Sequence, residues 1–203
     1  MSGLPGAGTP ARPEAGRRTP RLGIAAGVKY RGRVDRDMPA PGDTAPDFEG
    51  VDASGRPFRL ASLRGAPVIL YFYPKANTPG CTTEAREFTQ HHAEFARRGI
   101  HLVGVSVDSV EAQSAFAAKC AVPFPLIADA DRSIARRYEV LGTFGLARRT
   151  TFLLDAELRV EKVVESMRVG PHIAAARAWA DQPPRGPTTP GPAGVPPTGA
   201  GEP

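Results

Sequence analysis

A thiol held in a constrained loop is the feature of this chain best suited to chemistry. Cys81 closes the run Pro74-Lys75-Ala76-Asn77-Thr78-Pro79-Gly80-Cys81. Thr78, three residues earlier, carries a hydroxyl that both donates and accepts hydrogen bonds, and so can hold an oxygen ligand. Pro74 and Pro79 stiffen the loop and remove two N–H donors, whereas Gly80 allows a close approach to the backbone. The thiolate, not the thiol, is the nucleophile, and a helix N-terminus or a neighbouring cation favours it. Far along the chain, Arg149 stands directly before an apolar run. A guanidinium placed beside a thiol would favour its ionised form and donate to a developing oxyanion. Each residue also has a plainer reading: a buried cysteine is a small hydrophobe, and an arginine at a strand end is an ordinary surface cation.

The loop has to be held by its flanking elements. Val68-Ile69-Leu70-Tyr71-Phe72-Tyr73 is short, apolar and rich in β-branched and aromatic residues, which predicts a buried strand. Ala85, Phe88, His92 and Phe95 recur at helical spacing, which predicts a helix ending near Gly99. Cys81 then falls in the first turn, where unpaired N–H groups favour negative charge. Glu84 is also assigned to the first turn, where its carboxylate suits the helix dipole.

The rest of the chain alternates in the same way. Extended residues 57–60 follow the turn Ala53-Ser54-Gly55, and residues 100–107 form a second buried strand. Asp108-Ser109 can cap a helix over about 110–120, with Ala112, Phe116 and Cys120 on one face. A short strand over 124–127 and a short helix over 131–138 come next, then a hairpin of 150–154 with 159–165 around Asp155-Ala156-Glu157. Pro171 at the first helical position opens a helix over 173–180. Such alternation predicts a central mixed sheet with helices on both faces.

The loop pattern Pro-x-x-x-Thr-x-x-Cys resembles the active-site loop of the peroxiredoxins, and Thr-Pro-Gly-Cys-Thr-Thr-Glu resembles their peroxiredoxin Q (bacterioferritin comigratory protein) branch. The likeness continues in Ala45-Pro46-Asp47-Phe48, Gly104-Val105-Ser106-Val107-Asp108, Phe124-Pro125-Leu126 and Arg149-Thr150-Thr151-Phe152-Leu153-Leu154-Asp155, covering roughly residues 40–180. It implies an α/β, thioredoxin-like fold and a thiol peroxidase acting on hydrogen peroxide and organic hydroperoxides. In that reading Cys81 is the peroxidatic thiol, Thr78 and Arg149 stabilise the reacting oxygens with N–H groups near Gly80 and Cys81, and Pro74 shields the sulfur from water. The product is a sulfenic acid. The implied reductant is thioredoxin, with glutaredoxin or a small thiol as alternatives, and no metal, flavin or nucleotide is required. A monomer or weak dimer is expected.

Two departures from the pattern matter. Many peroxiredoxin Q proteins carry a resolving cysteine five residues after the peroxidatic one, where this chain has Arg86. Others carry it on the helix corresponding to 110–120, nearest Ala117; Cys120 lies about one turn later. Cys120 is therefore either the resolving thiol or a structural one among Ala112 and Phe116. Ala76 stands where the family often has aspartate.

Composition sets the remaining bounds. The chain has 203 residues, 41% of them hydrophobic, which is enough for one domain with a sizeable core. No apolar run approaches the roughly 20 residues needed to span a bilayer, and no membrane partner is expected. Two cysteines without C-x-x-C spacing argue against a disulfide scaffold and against dithiol oxidoreductase chemistry, and point to a reducing cytoplasm. The net charge of +5 lies wholly in residues 1–37, which carry eight basic and three acidic side chains. A solvated tail explains this more simply than nucleic-acid binding. Residues 1–39 and 182–203, rich in Gly and Pro, are read as disordered tails around a domain over 40–181. His91 and His92 face about 100° apart on a helix, and His101 and His172 have no partner at metal spacing, so no metal site is expected. Arg148 points away from Arg149 and is read as solvated, and Trp179 as core. The competing reading is a non-catalytic thioredoxin-like binding module, which would not need Pro74, Thr78, Cys81 and Arg149 together.

Overall fold

Alternation of side chains along the inner strands builds two cores on one sheet. The computed structural model describes residues 38–182. Strand β3 (Val68–Phe72) is buried at every position, as a strand covered on both faces must be. Val68, Leu70 and Phe72 join one apolar cluster, whereas Ile69 and Tyr71 join the other, because successive residues point to opposite faces.

The remaining strands are β1 (Glu49–Asp52), β2 (Pro57–Arg59), β4 (His101–Ser106), β5 (Leu126–Ala128), β6 (Thr150–Leu154) and β7 (Val160–Glu165). They form a seven-stranded sheet in the order β2-β1-β5-β4-β3-β6-β7. The β3–β4 and β4–β5 pairs are parallel, and the others are antiparallel. Helices α1 (Pro79–Arg97), α2 (Val110–Cys120) and α4 (Gly170–Ala180) contribute Phe88, Phe95, Phe116, Ile173 and Ala176 to the cluster that holds Tyr71. Helix α3 (Ser133–Arg137) contributes Ile134 and Ala135, and Phe48, Leu60 and Tyr138 complete the opposite cluster. A mixed sheet with helices on both faces is thus what the alternating pattern predicts.

The strand expected over 124–127 runs from Leu126 to Ala128, and other boundaries differ from expectation for local reasons. Helix α3 is shorter than 131–138, because Arg132 takes a left-handed φ of 62°. Its N-terminal N–H groups are instead bound by buried Asp129, from Ile134 at 2.9 Å and Ala135 at 2.8 Å. Helix α4 starts at Gly170, so Pro171 is its second residue. Strand β1 is unheralded in sequence, since Glu49-Gly50-Val51-Asp52 has little apolar content; its pairing with β2 and β5 supplies what propensity does not. Met38 and Pro39, assigned to the N-terminal tail, belong to the folded unit: Met38 packs on the core and Pro39 is buried. The tail expectations for 1–37 and 183–203 fall outside the described residues. Among the described residues no helix is long and apolar enough to cross a membrane.

Candidate active site

The loop after β3 is anchored from two sides. Tyr73 N–H donates to the Val105 carbonyl at 3.1 Å. Ala76 N–H donates to Asp108 Oδ2 at 2.7 Å. Asn77 adopts a left-handed φ of 63° and accepts from Lys119 Nζ at 3.1 Å, which ties the loop to the end of α2. Asp108 is fixed in turn by Ser106 Oγ at 2.7 Å, and Gln113 Nε2 donates to that Oγ at 2.9 Å and to the Ile127 carbonyl at 2.9 Å. Tyr73 closes this buried set through its hydroxyl to Gln113 Oε1. Ala76, the departure from the family pattern, is buried and contributes its backbone.

Thr78 is the N-cap of α1, with extended backbone, but its side chain does not cap. Its Oγ1 donates to the Lys75 carbonyl at 3.1 Å, which leaves the oxygen lone pairs available to a donor. The Thr82 N–H is taken by the Thr78 carbonyl at 2.9 Å, and Pro79, the first helical residue, has no N–H. Gly80 and Cys81 therefore present the first-turn N–H groups that helix geometry leaves without an intrahelical partner. Cys81 is the third residue of the helix and only 2% exposed. Pro74 is half-buried at the head of the loop.

Arg149, the residue before β6, is buried and reaches the thiol directly: Nη2 lies 3.4 Å from Cys81 Sγ. Its other arm, Nη1, donates to Glu84 Oε2. A Cβ on Gly80 would stand 3.2 Å from Nη2, so the glycine admits the guanidinium. Glu84 lies in the second turn of α1 and is fully buried, which corrects its assignment to the helix dipole: it is the carboxyl partner of Arg149. Burial pushes the Glu84 carboxyl up to about 8, against the pull of Arg149. Carboxyl and sulfur share one cation, so a Glu84 that holds its proton leaves the guanidinium charge to Cys81.

Thr151, two residues after Arg149, is held by a buried histidine. His172, buried in α4, accepts from Thr151 Oγ1 at 2.9 Å through Nδ1. Its Nε2 donates to the Ser166 carbonyl at 3.0 Å; a carbonyl only accepts, so Nε2 carries the proton. Burial holds this imidazole below its ordinary value, favouring the neutral form.

Of the residues singled out in sequence, Cys81 and Arg149 are brought into contact, with Thr78 and Pro74 in the same loop. Cys120 is the last residue of α2, buried and not bonded to Cys81, in the apolar cluster that also holds Cys81. Arg148 is exposed as expected but not free: it pairs with Glu165 at 2.7 Å and donates to the Glu139 carbonyl at 2.6 Å. Trp179 is half-buried rather than fully internal, and its indole donates to Glu161. Among the described residues no group of three or more His, Cys, Asp or Glu side chains is placed to hold a metal ion. Sequence reasoning undervalued Glu84. The available signal was its spacing of three from Cys81, which puts both on one helix face.

Residues 41–163 match the AhpC/TSA family. Peroxiredoxin Bcp of Bacillus subtilis is 38% identical over 142 residues, covering 66% of this chain and 90% of that protein. The crystal structure of peroxidoxin BcpB from Mycobacterium tuberculosis superposes with a TM-score of 0.65 at 39% identity, covering 70% of this chain and 96% of that one. The Xanthomonas campestris bacterioferritin comigratory protein, studied for its alkyl peroxide reduction activity, superposes with a TM-score of 0.62 at 33% identity, covering 66% and 89%.

Proposed function

The chain belongs to the AhpC/TSA family of thiol peroxidases, beside peroxiredoxins Bcp and Q and with their thioredoxin-like fold, and on that premise we propose that Cys81 is the peroxidatic thiol. Its thiolate attacks the nearer peroxide oxygen; the S–O bond forms, the O–O bond breaks, and the departing alkoxide or hydroxide takes up a proton. The product is Cys81 sulfenic acid. Arg149 Nη2, the Thr78 hydroxyl and the Gly80 and Cys81 N–H groups surround the oxygens on which charge develops, an arrangement that acts strongly in a water-poor site. Pro74 covers the loop. Both hydrogen peroxide and organic hydroperoxides are substrates; the alkyl peroxide activity of the Xanthomonas relative supports the second class.

The sulfenic acid is then resolved by Cys120, giving an internal disulfide and water, and the disulfide is reduced by thioredoxin. The presence of a second thiol in the same apolar cluster as Cys81 supports this route over one with an external thiol alone. The working unit is the domain, in a reducing cytoplasm, with residues 1–39 and 182–203 as dispensable tails apart from the packed Met38 and Pro39.

The observation that carries the reading is the 3.4 Å approach of Arg149 Nη2 to Cys81 Sγ, which a binding module would not need. Peroxide consumption by the purified chain with dithiothreitol tests it. Wild type should turn over and Cys81→Ser should not, with the same melting temperature. Near-wild-type activity in that variant would overturn the mechanism.

A further inference from the structure

Tyr71 is a large buried tyrosine whose hydroxyl neither the mechanism nor a hydrogen bond uses. It lies in β3 on the face covered by α1 and α2 and is 1% exposed. Its ring packs on Phe88 at 4.6 Å between centroids, on Tyr73 at 5.6 Å and on Phe124 at 6.3 Å. Its neighbour in the β4 register is Gly104. A Cβ there would stand 2.7 Å from Tyr71 Cζ and 2.8 Å from its hydroxyl oxygen, so the missing side chain opens a slot for the head of the phenol.

An oxygen given this much room makes no hydrogen bond. Tyr73, two residues on, does make one, to Gln113. A buried hydroxyl without a partner destabilises the fold relative to the same ring without the oxygen, and phenylalanine would keep the ring in its place. The titratable groups whose charge acts on the hydroxyl are Tyr73, directly after its strand, Glu84 and Cys81 on α1, and Cys120 on α2. Burial holds the phenol protonated well above its ordinary value, so it remains a donor.

We propose that the Tyr71 hydroxyl receives the Cys120 sulfur during disulfide closure, which makes Tyr71 a positioning residue of the resolving step. The inference rests on the resolving role of Cys120. A disulfide requires Cα atoms usually about 4.4–6.8 Å apart, and Cys120 ends α2 whereas Cys81 begins α1. In the proposed step the last turn of α2 opens to bring the two sulfurs together. Its exit at Ala121 takes a left-handed φ of 51°, a conformation unfavourable for a residue with a Cβ, which puts a weak point directly after the cysteine. The freed thiolate moves over the apolar cluster that it shares with Tyr71 and Cys81, where an uncompensated charge is unfavourable. The phenol is a buried donor there without a partner; the other such donor among the described residues, Arg149 Nε, belongs to the guanidinium already engaged with Cys81 and Glu84. Cys120 Sγ then bonds to Cys81 Sγ, the S–O bond of the sulfenic acid breaks, and hydroxide leaves as water with the proton that Cys120 released. Cys120 sulfur is oxidised and Cys81 sulfur reduced.

Tyr71→Phe in the full chain tests this by rapid-quench intact mass across a pH series. The melting temperature of the reduced protein should not fall, and sulfenic acid should form at the wild-type rate. Disulfide closure, read as loss of two hydrogens, should slow by about tenfold or more, the range of a hydrogen bond to a charged group. Its pH profile should move to higher pH, a shift that a packing role would not produce. Closure at the wild-type rate with an unshifted profile overturns the inference while Cys120 remains the resolving thiol. Wild type that accumulates sulfenic acid and never loses two hydrogens overturns both readings, and that failure shows before any variant is made.

Discussion

Arg149 Nη2 stands 3.4 Å from Cys81 Sγ across 68 residues of sequence. The sheet register makes this contact. Phe72, the last residue of β3, pairs with Thr150, the first of β6, in antiparallel sense. The residue before β6 therefore emerges beside the loop that follows β3, and the helix begun by that loop carries Cys81. One guanidinium then bridges the sulfur and Glu84.

Arg149→Met should slow the second-order reaction with peroxide by roughly 10²–10³, the range for loss of one donor at an oxyanion site. The stopped-flow rate constant measures this directly. A rate equal to wild type, in a variant with an unchanged circular dichroism spectrum, would make Arg149 a structural residue.

Glu84→Gln should change how stability depends on pH. The folded carboxyl holds its proton to about 8, against an ordinary value of 4.5. The unfolded state thus releases the proton first, and this group lowers stability as pH rises through that window. A glutamine cannot ionise, so the variant should gain relative to wild type between pH 5 and pH 8.5. Urea midpoints at the two pH values test the direction; parallel changes would mean that Glu84 is ionised throughout.

Cys120→Ser should leave the first peroxide attack at full rate, because the attacking thiolate is untouched. Thioredoxin-coupled turnover should fall strongly, and Cys81 should over-oxidise at lower peroxide concentrations as the sulfenic acid persists. Unchanged coupled turnover would place Cys120 in the core and the second thiol outside the chain.

Deleting residues 1–37 removes the whole net charge of +5 and keeps Met38, which packs on the core. Melting temperature and peroxidase rate should stay within error of the full chain. A clear fall in either would give those residues a part in the fold or the site.

Much of the site was legible because it is local. An apolar β-branched run, a Pro- and Gly-punctuated loop and a helical period follow one another within 68–97, and adjacent residues suffice to specify strand, turn and helix start. The position of Cys81 follows from that local order, as do the Ser109 cap of α2 and the hairpin of β6 with β7. Family resemblance supplied the importance of Arg149, which nothing in its own neighbourhood distinguishes from Arg148. Glu84, Tyr71 and Asp108 were not legible in this way. Glu84 read as a helix-terminal charge because its partner stands just before a strand 65 residues further along the chain. Tyr71 read as core because the gap left by Gly104 and the two cysteines that share its cluster belong to three other elements. Local sequence determined which residues form the loop and its helix, since those choices depend on backbone preferences over a few neighbours. Only the tertiary structure decided which side chains share a charge or lack a partner, because those relations depend on strand order and register between segments distant in the chain.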